Sequence, residues 1–472
     1  MRIIVSFDTE DFTDPVSNDV LLDIARALSD HGVRAGFGLL GEKARFIRDL
    51  GRADVVEALS HHDICYHTDN HFLFPDPLVK PAFMSEYVEE RSWDEAVRHL
   101  VATEAEGLRD IEELFGRRPT TYFRTGGDSA AQILYAYHLL GMTTFAYGPS
   151  LYERSRHIAW FTNMLCVSLP LISEGHTYKG EGPNRLDEFA AGGADLVNVR
   201  FHPCMFLADT FWCNVNFRGR WDAGRFGPWK LAPRLPREET RTRIHRMCQL
   251  VDYAREKHGA EFTTYDALTA EVKPNPPWLE RDTVLRLARA LLQRFGYVEV
   301  DGHYYSLAEA FAAIIWTLLH PQASQAPYRR VIGPVRVPGC PAEEGGRPTQ
   351  APSSLQLTEG FDVAKEDLVA GGEEAERSLS AYRRVPADVL LGGRTVPPAT
   401  LLRVAAKCLL GEERLRAEPM PIYPEGFDDV LRQWDDLGHE LIGFFPDRGR
   451  DTKRMKQAAK LQYWSYKPAV LG

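Results

Sequence analysis

Apolar positions in the first 270 residues follow two alternating periods. The β-branched and aromatic run at 3–7 reads as a buried strand, 32–40 as a turn and a second strand, and 143–147, 165–172 and 196–201 as further strands. Between them, apolar residues fall on one helical face, as Val20, Leu21, Ile24 and Leu28 do in 18–31. Further helices are expected at about 42–59, 92–115, 130–140 and 238–257, and a last strand and turn at 261–266. Strand, helix and strand alternate with short connections, which predicts an α/β fold of parallel strands joined by crossover helices.

Past residue 272 the pattern changes. Pro274-Asn275-Pro276-Pro277 marks a boundary, because consecutive prolines stop helices and stiffen linkers. Residues 283–295 and 306–319 then read as apolar-faced helices, within an accessory segment at 273–332. Residues 333–360, dense in Gly, Pro, Ser and Glu, read as a linker or loop. A small helical unit is expected over 361–472. Its role is left between shielding the first domain and forming a homo-oligomer interface.

A chain of 472 residues exceeds one ordinary core, so two or three domains are expected. The net charge of −10 argues against a general binder of nucleic acid or anionic membrane. No apolar run approaches the ~20 residues that cross a bilayer. Met1 leads straight into a strand without the features of a secretory signal, and the seven cysteines form no CxxC pair. The expected location is therefore the cytoplasm.

Chemistry-bearing residues gather where the strands end. Asp8, Glu10 and Asp11 follow the first strand. His67 and His71 follow Ile64-Cys65-Tyr66. Arg124 precedes Gly126 and Gly127, and His202 ends the strand at 196–201. Each has an ordinary alternative: a helix cap for the acids, turn or surface histidines, a surface ion pair for Arg124. Three carboxylates within four residues nevertheless repel one another unless a cation or protons neutralise them. Two histidines four apart share one face if that stretch is helical, so both imidazoles can then address one atom. In a barrel of parallel strands, chemistry collects at these C-terminal strand ends. The loop 211–221 adds Trp212, Asn216 and Trp221, read either as a satellite core or as stacking surfaces for a sugar-like ring.

These stretches resemble the polysaccharide deacetylase family, the NodB-homology fold of carbohydrate esterase family 4. The resemblance runs through Ser6-Phe7-Asp8-Thr9-Glu10-Asp11, then His67-Thr68-Asp69-Asn70-His71 with its lead-in from His62, then Phe123-Arg124-Thr125-Gly126-Gly127, then Val199-Arg200-Phe201-His202. It covers about residues 1–272 and implies a distorted (β/α) barrel. It further implies a divalent metal, zinc first with cobalt, manganese or nickel as alternatives, on His67, His71 and either Glu10 or Asp11. Glu10 is favoured, since in an extended segment it points the same way as Asp8. Asp8 would be the general base, Arg124 would orient it, and His202 would protonate the departing amine. The implied substrate is an N-acylated amino sugar or related amide; the residues themselves offer Gly126 and Gly127, which let backbone come close to a ligand, and Trp212, Asn216 and Trp221 of the aromatic loop as its expected contacts. A metal-free amidohydrolase like the allantoinases and a non-catalytic carbohydrate or cell-envelope binder are the alternatives. The sequence departs from the pattern in the extra Thr9 between the acids and in Thr125 where the family has proline. In the C-terminal part, residues 385–410 resemble a pseudomurein-binding repeat, with 306–319 as the helix of a partner repeat.

Overall fold

The computed structural model describes residues 1–71, 84–89, 91–125, 130–146, 157–216, 227–336, 357–425 and 453–472. The run Ile3-Ile4-Val5-Ser6-Phe7 forms β1 (Arg2–Thr9), buried on both faces as an interior strand of a parallel sheet should be. In chain order there follow α1 (Val16–Asp30), β2 (Gly36–Leu39), α2 (Gly41–Asp49), α3 (Ala53–Ser60) and β3 (Asp63–Tyr66). The single helix expected at 42–59 is two, because Gly51 takes a left-handed φ of 64° that turns the chain between them.

Next come α4 (Met84–Glu89), α5 (Trp93–Phe115), β4 (Thr121–Phe123), α6 (Ala131–Leu139), β5 (Thr144–Ala146), β6 (Ile158–Phe161), β7 (Met164–Val167) and β8 (Leu171–Ser173). The strand expected at 165–172 is thus also divided. Pro170, which has no N–H for a ladder, separates β7 from β8, and the two lie at different places in the sheet. The unit continues with α7 (Glu174–Tyr178), α8 (Gly182–Ala191), β9 (Leu196–Phe201), α9 (Cys204–Leu207), α10 (Trp212–Asn216), α11 (Arg237–His258), β10 (Glu261–Thr263) and α12 (Tyr265–Ala270).

These strands belong to one strongly curled sheet, the distorted barrel expected from the sequence. β1 pairs in parallel with β9 on one edge. On its other edge it carries β10 along Arg2–Ile4 and then β2 along Ser6–Thr9. From β2 the parallel order runs β3, β4, β5, β7, and β6 joins antiparallel. The C-terminal ends of β1, β3, β4 and β9 therefore lie at one mouth of the curl.

The second unit is an internal duplication. Its first half is β11 (Trp278–Glu280), α13 (Arg281–Gln293), β12 (Val298–Val300), β13 (His303–Tyr305), α14 (Leu307–Leu319) and β14 (Gln325–Pro327). Its second half repeats that order as β15 (Phe361–Asp362), α15 (Lys365–Tyr382), β16 (Val389–Leu391), β17 (Arg394–Val396), α16 (Pro398–Leu409) and β18 (Arg416–Ala417). In each half the outer strands pair with one another, and so do the two strands of the hairpin. Both hairpins turn through two positive-φ residues, Asp301-Gly302 and Gly392-Gly393. The two halves share one hydrophobic core, so 273–332 is not separate from the unit that begins at 361.

Much of the stretch read as a linker, 337–356, lies outside the described residues. The terminal helix α17 (Lys453–Gln462) and β19 (Lys467–Pro468) return to the barrel, where β19 pairs with β6. Tyr463 and Tyr466 enter the barrel core while Trp464 enters the core of the duplicated unit. The last residues thus tie both units together. Among the described residues, no helix is long and apolar enough to cross a membrane.

Candidate metal centre

The acids after β1 are buried: Asp8, Glu10 and Asp11 are all under 7% exposed. Asp8 and Glu10 face the mouth of the curl and Asp11 does not. Asp11 Oδ1 accepts from the Thr13 N–H and hydroxyl, both at 2.8 Å, and from the Asp14 N–H at 3.2 Å, so it closes a turn. Its backbone oxygen accepts from buried Lys43 Nζ at 2.6 Å. Burial moves the Asp11 carboxyl up, against the Lys43 charge and these turn hydrogen bonds, and lowers Lys43 to about 8. Of the two acids left open as a third donor, Glu10 is the one beside the histidines.

His67 and His71 do not share a helical face as the spacing suggested. The stretch is a loop, and His71 reverses it with φ 31°. The ring centroids stand 6.0 Å apart, and Glu10 Oε1 lies between them, 3.2 Å from His67 Nε2 and 3.3 Å from His71 Nε2. The atom on which both imidazoles converge is thus a carboxylate oxygen. His67 Nδ1 is 2.9 Å from the Phe123 carbonyl oxygen. A carbonyl only accepts, so Nδ1 carries the hydrogen, and the neutral ring turns its Nε2 lone pair toward Glu10. Two acceptors 3.2 Å apart repel unless a proton or a cation lies between them. Burial opposes charge on His67 while the Glu10 hydrogen bond and the Asp8 charge raise its pKa, and Glu10 is held well below the carboxylate range against its own burial by His71 and His67.

Asp8 Oδ2 is 3.3 Å from His202 Nε2. Asp8 Oδ1 is buried with no hydrogen-bond partner among the described residues. Burial works against ionisation of Asp8, but the hydrogen bond and charge of His202, then the charges of His67 and Arg200, keep its pKa below normal. Arg124, expected to orient Asp8, sits half-buried just past β4, and the charge of Arg200, on β9, also acts on Asp8.

The far side of His202 is held by Glu174, which sequence reading missed. Its carboxylate oxygens are each 3.1 Å from His202 Nδ1, and one accepts the His202 backbone N–H at 2.7 Å. Two carboxylates flank one imidazole, and despite burial they raise its pKa well above the usual value. The signal for Glu174 was its place directly after a strand, β8, which the undivided reading of 165–172 concealed.

The aromatic loop also differs from expectation. Trp212 is fully buried, so it offers no stacking face; its Nε1–H donates to Glu10 Oε2 at 3.2 Å, and its ring packs on Phe12 and His71. Asn216 is buried as well. Its amide spans the Trp212 and Lys230 carbonyls and accepts the Lys230 N–H, which makes it a loop clamp rather than a sugar contact. Gly126, Gly127 and Trp221 lie outside the described residues.

The donor set suits a divalent cation. It offers a tautomer-fixed imidazole, a second imidazole and two carboxylates whose pKa values are held low, all buried, and Asp8, Glu10 and His67 place donor atoms within 4.8 Å of one another. No family model matches the sequence, and no curated protein matches it. Solved structures do. Among those similar to this chain are family 4 carbohydrate esterases and a peptidoglycan deacetylase. One is a family 4 carbohydrate esterase from Streptomyces lividans, with 13% identity, 55% of this chain and 90% of that one covered, and a TM-score of 0.31. Another is a peptidoglycan deacetylase from Bacillus subtilis, with 14% identity, 56% and 88% covered, and a TM-score of 0.29. A third is a pseudoenzyme of the same family from Bacillus anthracis, with 12% identity, 57% and 65% covered, and a TM-score of 0.31. At such identities none of their chemistry transfers, and function has to follow from this chain's own side chains.

Proposed function

We propose that this protein is a metal-dependent N-deacylase that hydrolyses the N-acyl group of an amino sugar or a related amide. The observation that carries the reading is the opposition of His67 Nε2, in its Nδ1–H tautomer, to Glu10 Oε1 at 3.2 Å with His71 on the same oxygen. His67, His71 and Glu10 would hold the cation. When bound, the cation supplies Lewis acidity, polarising an acyl carbonyl and lowering the pKa of a water molecule to ~7.

The protein's own groups do the rest. Asp8, ionised and with Oδ1 uncommitted, takes a proton from the attacking water. His202, charged between Asp8 and Glu174, gives its Nε2 proton to the leaving nitrogen as the C–N bond breaks. A carboxylic acid and an amine result, with the water's atoms divided between them. Glu174 fixes which nitrogen of His202 faces the reaction.

The test is elemental analysis of the purified protein, together with acetate and formate release from N-acylated glucosamine oligomers before and after chelation. Hydrolysis should vanish on chelation and return with zinc, cobalt, manganese or nickel. Full activity in a metal-free sample would favour the allantoinase-like alternative. Sugar binding that survives Asp8→Asn, with no hydrolysis under any condition, would favour a binding protein.

A further inference from the structure

Glu10 belongs to two clusters of buried donors. One is Asp8, Glu10 and His67; the other is Glu10, His71 and Cys213, whose donor atoms also lie within 4.8 Å of one another. The second brings a thiol to the centre. Cys213 follows Trp212 on α10, and Trp212 fixes that helix at two points. Its indole N–H is on Glu10 Oε2 at 3.2 Å, and its ring lies edge-on to His71 at 5.9 Å. The residue beside it is thereby carried to the same carboxylate and imidazole. Cys213 is 8% exposed and packs in a small apolar cluster with Phe12, Leu40 and Cys204.

A thiol in apolar surroundings is a poor acid, but beside a divalent cation it ionises and becomes an anionic donor. In the other cluster, Asp8 Oδ1 is buried with no hydrogen-bond partner among the described residues. That independent observation also points to a cation in this pocket.

We infer that Cys213 is a ligand of the cation held by Glu10 and His71, its proton leaving to solvent as the sulfur–metal bond forms. The inference rests on the metal-dependent reading above. A thiolate donor selects thiophilic ions, so the centre takes zinc or cobalt(II) in preference to magnesium or manganese.

Cobalt(II) provides the test, because a thiolate ligand gives it a charge-transfer band in the near ultraviolet that nitrogen and oxygen donors do not. The full-length protein titrated with cobalt should develop this band to saturation at one ion per chain. Cys213→Ser should bind cobalt without the band, and Cys204→Ser should keep it. In the wild type, zinc should slow iodoacetamide modification of Cys213 by at least about tenfold, read by peptide mass mapping; this readout stands even if Cys213→Ser does not fold. Stoichiometric cobalt binding without the band, persistence of the band in Cys213→Ser, or equal alkylation with and without zinc would overturn the inference while leaving metal-dependent hydrolysis intact. Failure to bind any cation would overturn both.

Discussion

Glu174→Gln isolates the acid half of the proposed chemistry. The substitution keeps an oxygen for the His202 backbone N–H, which Glu174 accepts at 2.7 Å, but removes the negative charge 3.1 Å from His202 Nδ1. Both side chains are less than one fifth exposed, so solvent screens the pair only partly. A hydrogen bond to a charged group contributes about 1.5–3 kcal/mol, which at ~1.4 kcal/mol per decade is about a 10- to 150-fold loss in kcat/KM. The sign with pH follows from the pair. Glu174 raises the His202 pKa, so the protonated acid persists above neutrality, and without that charge the proton is lost at lower pH. The alkaline limb of the kcat/KM profile should therefore move to lower pH while the acid limb stays in place. Imidazole NMR of the metal-free protein reads the same change without substrate, as a lower titration midpoint for His202. An unchanged midpoint together with an unchanged alkaline limb would refute the assignment of Glu174 as the group that keeps His202 charged.

Three further perturbations probe the frame around the centre. Trp212→Phe keeps the ring packing on Phe12 but deletes the N–H on Glu10 Oε2, so metal affinity measured by chelator competition should fall ~10–100-fold, and an unchanged Kd would count against that role. Gly107→Ala sets two effects against each other. Alanine in α5 gains about 1 kcal/mol of helix propensity, but its Cβ would lie 2.5 Å from Asp69 Oδ1 and 3.0 Å from the Asp69 Cα, overpacking that costs about 1–3 kcal/mol. Because backbone cannot step aside, the clash should win and thermal denaturation should occur earlier; an equal or higher Tm would refute this. Glu104 is raised from 4.5 to about 7 by burial and then by the Asp69 charge, against hydrogen bonds from Tyr66, the Asp69 N–H and Tyr137. A raised acid binds its proton more tightly in the native state, so its contribution is complete below about pH 4.5 and is lost as pH rises through about 7, at most about 3 kcal/mol. Glu104→Gln should therefore flatten the decline in stability between pH 5 and pH 8, and an undiminished slope would exclude Glu104 as its source.

How far the sequence carried the picture depends on how local each signal was. β1 was legible because a strand buried on both faces is mostly apolar, and Ile3–Phe7 is apolar but for Ser6; β9 was legible from Leu196, Val197, Val199 and Phe201, although Asn198 and Arg200 interrupt the run. Local breakers misled where their effect is decided in three dimensions. Pro170 splits one apolar run into strands on different parts of the sheet and so hid Glu174, and Gly51 divides a helix whose amphipathic pattern runs straight through it. The duplication at 278–417 was only partly visible, because its halves share an order of elements and a core rather than matching residues; Asp301-Gly302 and Gly392-Gly393 solve the same turn differently.

The centre shows the same division. Parity along an extended strand favours Glu10 over Asp11, and the turn that consumes Asp11 involves residues only two and three positions away. The convergence of His67, His71 and Trp212 on Glu10 has no such local trace, since Trp212 lies 202 residues further along the chain. Exposure is likewise settled by what packs on top. An aromatic loop reads identically whether its rings face a sugar or, as Trp212 does, close over a carboxylate from behind. On the proposed metal-dependent reading, the residues that select the ion therefore include ones that no spacing rule would have chosen, and Cys213, carried in by the helix that Trp212 anchors, is the one whose removal should change the identity of the bound ion most.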